Sequence, residues 1–166
     1  SPKVTIHNYV RAETDLQMRT YVDKFDCFGK FFHVREAYDV TSKATIRPNR
    51  DTLYSWGVFD LTSPLTIGLP ESGDRYQSLM MVSQDHSIWA EYGPKQVVLT
   101  EENAGTRYAL LLVRTFLDPN DEDDVKAAHA LQDAITVKQS DQGEFQVPPW
   151  KQEEVEAMRN AINVVA

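Results

Sequence analysis

Between Thr45 and Leu117 the chain breaks into short runs rich in Val, Ile, Tyr, Phe and Thr. They are punctuated by Ser63-Pro64, Pro70-Glu71-Ser72-Gly73-Asp74, Gly93-Pro94 and Asn103-Ala104-Gly105. β-Branched and aromatic side chains pack well on a pleated surface, and clusters of Pro, Gly, Asn and Asp supply the turns between such runs. The texture predicts strands at about 52–61, 64–69, 75–84, 87–92, 95–100 and 106–117, in an antiparallel sandwich or barrel. In the last run Tyr108, Leu110, Leu112 and Phe116 share one face, and Ala109, Leu111 and Val113 the other. Little polar surface is left, which is the pattern of a central strand covered on both sides.

Helical periods flank this region. Val10, Met18, Val22 and Phe25, with Tyr21 beside them, predict an amphipathic helix at about 7–25 in which Thr14 fills the missing step. The stretch Cys27 to His33 is aromatic and broken by Gly29, which suits a segment tucked under the core. After Leu117-Asp118-Pro119-Asn120-Asp121 the period changes, and Val125, Ala128, Leu131 and Ile135 predict a helix at about 121–138. Asn120 or Asp121 can cap it, and acids in its first turn face the positive end of the helix dipole. Pro148-Pro149 stops regular structure, and the stripe Val155, Met158, Ile162, Val165 predicts a last amphipathic helix at about 150–165.

The 166 residues, 42% of them hydrophobic, suffice for one sizeable core, so residues 1–166 read as a single domain. A net charge of −8 argues against nucleic acid, whose affinity needs clustered Lys and Arg. The longest uninterrupted apolar run is Tyr108 to Val113, far short of the ~18 residues that span a bilayer, so no membrane span is expected. Cys27 is alone and can form no intramolecular disulfide. The chain starts at Ser1 rather than Met, as a processed chain would, and the expected location is soluble, periplasmic or secreted if a signal peptide was removed.

Most familiar chemistry is unsupported by spacing. His7, His33, His86 and His129 lie in four different predicted elements. Asp85 beside His86 would point to the opposite face of a strand, so no metal and no cofactor are expected. The acids of Asp118 to Asp124 lack the glycine and the final acid of a calcium loop, and helix capping explains them. No Gly-x-Ser-x-Gly occurs, Ser55, Ser78 and Ser83 sit inside strand-like runs, and Cys27 has no readable histidine partner. Seven glycines in all leave no phosphate loop.

What remains is a set of charges embedded in apolar strands. Arg114 lies in the most apolar stretch, with Arg107 seven residues before it. A desolvated arginine must meet a carboxylate or an anionic ligand. Asp51, Asp60, Asp85 and Glu91 are the acids near strand ends. Structural ties between strands are one reading. The other is a polar pocket at one end of a sandwich, lined by Arg47, Asn49, Arg50, Tyr54, Asp85, His86 and Trp89. Arg107 and Arg114 are added as ligand-binding candidates. The catalytic candidates are His86 as general base with Asp85 or Asp51 orienting it. The corner Arg47-Pro48-Asn49-Arg50-Asp51 is also self-sufficient as structure: Pro48 sets one backbone angle, and Asn49 and Asp51 can bond back to nearby main chain.

The stretch Ile46 to Ser55 (IRPNRDTLYS), then Val58-Phe59-Asp60-Leu61, Asp85-His86, Gly105-Thr106-Arg107-Tyr108, Arg114 to Asp121 and His129-Ala130-Leu131-Gln132-Asp133 resemble the domain-of-unknown-function 1254 family (DUF1254). Tyr9 to Asp15 and Val147-Pro148-Pro149-Trp150 look similar too. The resemblance implies a mainly β fold: a jelly-roll-like antiparallel β-sandwich with an N-terminal helix and two C-terminal helices. It implies a bacterial protein, exported in several cases, with a second sandwich domain downstream in many relatives, where this chain ends at Ala166. It implies no established activity.

The function expected from all this is binding of a small anionic or polar ligand in an Arg/Asn/Asp/His-lined pocket. One alternative is a hydrolase. Another is a non-catalytic module, a homo-oligomer or a dock for the downstream domain, using the helix of Val155, Met158, Ile162 and Val165.

Overall fold

The computed structural model of the chain describes residues 1–37 and 51–165. Helix α1 (Tyr9–Phe25) precedes a short strand β1 (Phe32–His33), and strands β2 (Thr52–Asp60), β3 (Leu65–Leu69), β4 (Gln77–Ser83), β5 (Ile88–Tyr92) and β6 (Lys95–Leu99) follow. A one-turn helix α2 (Glu101–Ala104) leads into β7 (Tyr108–Phe116). Then come α3 (Glu122–Asp133), β8 (Thr136–Gln139) and α4 (Gln152–Val165). The strands form two antiparallel sheets, one ordered β1-β2-β7-β4-β5 and one ordered β6-β3-β8.

The central position of β7 follows from its two apolar faces. Ala109, Leu111 and Val113 join Phe59, Leu79 and Met81 in an apolar cluster shared with Leu65, Ile67, Val97 and Leu99 of the smaller sheet. We call this the inner face of the large sheet. On its outer face Tyr108 and Leu110 join Val58 and Val82 beneath Met18, Tyr21, Val22 and Phe25 of α1 and Phe145 and Val147 of the C-terminal segment. Alternation along the strand thus serves two cores at once.

Helix α1 is anchored by polar as well as apolar burial. Asp15 is fully buried. Its carboxylate accepts from Gln84 Nε2 at 2.7 Å and from Trp150 Nε1 at 2.8 Å. Gln84 Oε1 in turn accepts the Tyr108 amide at 3.1 Å. One side chain therefore ties α1, the end of β4, the start of β7 and the lead into α4. Against α1, Val155 of α4 is buried with Val4 and Ala12, while Met158 is half-buried.

The predicted strands from Thr52 to Phe116 match the observed ones to within two residues, but helix and sheet contents are about equal, against the mainly-β expectation. The helix predicted to about 138 stops at Asp133. Thr136 to Gln139 instead pair with Leu65 to Gly68 as β8, which completes the smaller sheet. Ile135 continues the helical apolar spacing by coincidence; Ile135, Thr136 and Val137 are β-branched and favour an extended chain beside an open strand edge. At the other end of α3, Asp121 accepts from the amides of Asp123 and Asp124, so the acidic run is a helix cap as its residue types indicate. No helix among the described residues is long and apolar enough to cross a membrane.

Candidate functional site

The residues singled out from sequence separate along the large sheet. Arg47, Asn49 and Arg50 lie outside the described residues. Asp51 precedes Thr52, which is opposite Phe116 at one end of β7. Asp85 and His86 form the β4–β5 turn, where Ser83 is opposite Ala109 at the other end of β7. Seven strand steps separate those register positions, roughly 23 Å at ~3.3 Å per residue. At that separation along the sheet Asp51 does not orient His86.

Around Asp85 and His86 the contacts are local. Arg11 of α1 holds the Asp85 carboxylate at 2.7 Å. His86 is exposed and takes a left-handed conformation with φ 63°, inside a turn closed by its own amide bond to the Ser83 carbonyl at 3.0 Å. It borders a polar groove of about 440 Å³ between α1 and α4, with Glu13, Gln17, Gln152 and Arg159 on its walls. Arg159 and Glu13 are paired across that groove.

Arg107 and Asp60 make a second node at the same end. Arg107 donates through Nε to Oδ1 at 3.1 Å and through its terminal nitrogen to Oδ2 at 2.9 Å. The Thr62 amide and hydroxyl and the Glu144 amide also donate to this carboxylate. Burial alone would raise the Asp60 carboxyl, but Arg107 and the Thr62 and Glu144 donors prevail and hold it at about 2. Here the structural reading of an embedded arginine applies. Trp89 lies opposite Met81 and packs on the inner cluster, on the other face of the sheet from Tyr54 and Arg114.

Tyr54 and Arg114 do come together. They are direct cross-strand partners on the outer face, and Arg114 also pairs with Ser78, which in turn is opposite Tyr92. The row Tyr54, Arg114, Ser78, Tyr92 thus crosses four strands. Aromatic rings border it on both sides: Tyr76 lies 4.6 Å from Phe116 and 5.4 Å from Tyr92, and Tyr54 stacks on Trp56 at 6.3 Å. The Tyr92 hydroxyl is raised above the usual phenol range by its hydrogen bond with Tyr76, with Arg114 pulling the other way. A half-buried guanidinium amid rings and hydroxyls is suited to recognising a carboxylate or phosphate.

Two further features were not singled out from sequence. Ser55 Oγ and His33 Nδ1 lie 2.7 Å apart, with Gln132 Nε2 donating to the same hydroxyl at 3.2 Å. Ser55 is fully buried, however, so this contact braces β1, β2 and α3. Arg35 reinforces the same junction through the His129 carbonyl, Gln132 and Asp133. The second feature is a cleft of about 370 Å³ between α1 and Trp56, floored by aromatic rings. Its signal in the sequence is Trp56 two residues after Tyr54, on the same face of a strand, with Tyr21 and Phe25 one helical turn apart. Cys27, by contrast, is buried and its thiol is pushed up to about 11 by desolvation, so it is a packing residue. No group of three or more potential metal ligands occurs among the described residues.

Residues 28–97 match the DUF1254 family model, described as a protein of unknown function. The resemblance carried by IRPNRDTLYS is thereby shown. The DUF1254 match runs from the segment before β1 to β6, and so includes Tyr54, Trp56, Asp85, His86 and Trp89 but neither Arg107 nor Arg114. No curated protein matches the chain. Among solved structures, the VPA0106 protein from Vibrio parahaemolyticus is similar at a TM-score of 0.61 and 16% identity, over 95% of this chain and 46% of that one. The chain thus spans about half the length of that neighbour, and the likeness is one of fold alone.

Proposed function

We propose that the chain is a ligand-binding domain, without catalysis of its own, that holds a small anionic or polar molecule on the outer face of the large sheet at Arg114. The supporting observation is the pairing of Tyr54 with Arg114 across β2 and β7, three residues after Asp51 ends the RPNRD corner. Arg114 supplies charge, the Tyr54 and Tyr92 hydroxyls supply hydrogen bonds, and Trp56, Tyr76 and Phe116 lower the local dielectric. Arg47, Asn49 and Arg50 belong to the same reading through their place before Asp51. In it, residues 1–166 act as one domain, a sandwich of the two sheets around their shared apolar cluster. A hydrolytic reading has less support, since His86 stands far from Asp51 and Ser55 is buried.

The test is thermal unfolding in the presence of phosphate, succinate and benzoate, for the wild type, Arg114→Gln and the remote control Arg11→Gln. A ligand at 100 times its dissociation constant stabilises by about 2.7 kcal/mol, a readily measured shift. At least one anion is expected to raise the midpoint of the wild type and of R11Q but not of R114Q. No shift with any anion, or an equal shift in R114Q, would sink the reading.

A second reading rests on α4. Its stripe is buried at Val155 but not at its far end, where Ile6, Met158, Ala161, Ile162 and Val165 line an apolar cleft of about 330 Å³ and Val165 is 89% exposed. An apolar face left open in this way suits association with a second copy. Light scattering is expected to show a dimer that Ile162→Glu converts to a monomer; a wild-type monomer at high concentration would count against it.

A further inference from the structure

The cleft between α1 and the outer face of β2 has a chemistry of its own. Its floor and one wall are rings: Trp56 lies 5.1 Å from Tyr21 and 5.4 Å from Phe25 between centroids, and Phe25 continues to Phe32 at 4.9 Å. Its other wall is polar, formed by Gln17, Thr20 and Lys24 from successive turns of α1. Lys24 Nζ sits 5.3 Å from the Phe25 centroid, so its charge is drawn to the rim by a ring face. Thr20 spends its proton on the Leu16 carbonyl at 2.9 Å, which leaves its oxygen as an acceptor. The indole Nε1 of Trp56 is shielded from water and has no hydrogen-bond partner among the described residues. A shielded donor without an acceptor is costly to the fold, so the indole at this position is kept for more than its N–H, and its ring is what the cleft presents.

We propose that this cleft is a binding site for a single sugar ring. A pyranose has an apolar face of C–H groups and a rim of hydroxyls that both donate and accept. The face would lie on Trp56 with Tyr21 and Phe25 at its edges, and the rim would meet Gln17, Thr20 and Lys24. A volume near 370 Å³ is at the small end of ligand clefts, ~300–1,000 Å³, and suits one or two ring units. A wholly apolar ring fits less well, because it would strip water from an amide, a hydroxyl and an ammonium without replacing their hydrogen bonds. Lys24 at the rim extends the site to rings that carry a carboxylate, such as uronates. Arg114 is opposite Tyr54, two residues along β2 from Trp56, so the two sites share Trp56 as a border while Arg114 itself takes no part in holding the sugar.

Trp56, Trp89 and Trp150 give three indole N–H signals in a nitrogen–proton correlation spectrum. Titration with methyl glucoside, methyl glucuronide and phenol is expected to move the Trp56 signal saturably with one or both sugars, at a dissociation constant on the order of 1 mM. Trp56→Leu should weaken binding at least ten-fold, because the ring face that carries the sugar is lost. Trp56→Phe, which keeps a ring and removes the N–H, should weaken it by less, and Lys24→Gln should affect the glucuronide alone. Arg114→Gln should leave sugar binding intact, whatever becomes of the anion site. The proposal is overturned if neither sugar moves the Trp56 signal up to tens of millimolar, or if phenol alone does. Sugar binding that survives in a folded Trp56→Leu variant overturns it equally.

Discussion

Arg107 grips the Asp60 carboxylate at both oxygens, and Asp60 is only 1% exposed whereas the Arg107 side chain is 41% exposed. The pair closes the end of the β2–β7 ladder, where Asp60 is opposite Tyr108. Because Arg107 and neighbouring donors hold the folded Asp60 near 2, against an ordinary value of 3.8, the unfolded chain binds the extra proton. The stabilisation is therefore complete above about pH 4 and lost as pH falls toward 2, amounting to about 2 kcal/mol. Asp60→Asn is expected to cost about 3 kcal/mol at neutral pH, since it leaves Arg107 and the Thr62 and Glu144 donors short of a charged partner. Urea unfolding at pH 7 and pH 3 checks both: the gap between wild type and D60N should narrow at the lower pH.

Gly143 is the backbone counterpart of that node. It has φ +73°, and a Cβ placed on it would collide with Asp60 Oδ2. Gly143→Ala therefore combines a left-handed non-glycine with a displaced carboxylate, and should lower stability by about 2 kcal/mol. Gly73, also at positive φ with φ +58° but with open space around it, is the comparison: Gly73→Ala should cost about 1 kcal/mol.

Asp15 joins α1 to both Gln84 and Trp150. Asp15→Ala removes the acceptor for two shielded donors and should cost about 3 kcal/mol. The loss should be seen first as faster amide exchange across α4, which depends on Trp150 and Val155 for its seat against α1. An exchange pattern unchanged in α4 would contradict this.

His33 is lowered from its usual value by desolvation first and by the neighbouring Arg35 second, with Asp133 opposing. A histidine kept neutral in the fold gives stability that is full above about pH 6.5 and declines as pH falls below it, because the unfolded chain takes the proton more readily. A proton-detected titration should place His33 below the free imidazole value. Arg35→Gln should move it upward by easing the repulsion, while Ser55→Ala should destabilise by about 1 kcal/mol through the lost hydroxyl contacts.

His86 is a non-glycine residue at φ 63° in a four-residue turn. His86→Gly should therefore be neutral or stabilising by up to about 1 kcal/mol, as read by thermal unfolding. A marked loss would mean that the imidazole itself holds the turn.

The strand positions were legible because alternation and turn residues coincide from Thr52 to Phe116: each turn cluster falls between two observed strands. Strand β8 was hidden, since Val125, Ala128, Leu131 and Ile135 keep a helical spacing up to its edge. Arg107 and Arg114 were recognisable as charges out of place in apolar runs, and Tyr54 as a lining residue of an expected pocket. Which of them meets which was not recognisable, because a partner is set by strand order. Arg107 meets Asp60 and Arg114 meets Tyr54 only because β2 and β7 run antiparallel side by side.

The sequence by itself determined most of the periods: where β2 to β7 and the longer helices begin, which residues of β7 face two cores, and that Asn120 or Asp121 would cap α3. These are properties of neighbours along the chain, governed by backbone sterics and side-chain alternation. Only the tertiary structure decided that the β4–β5 turn and Asp51 lie at opposite ends of one sheet, which parts His86 from Asp51. It also decided that Trp56 faces α1 across a cleft. Register and sheet order come from long-range burial of apolar faces, and no local pattern carries that information.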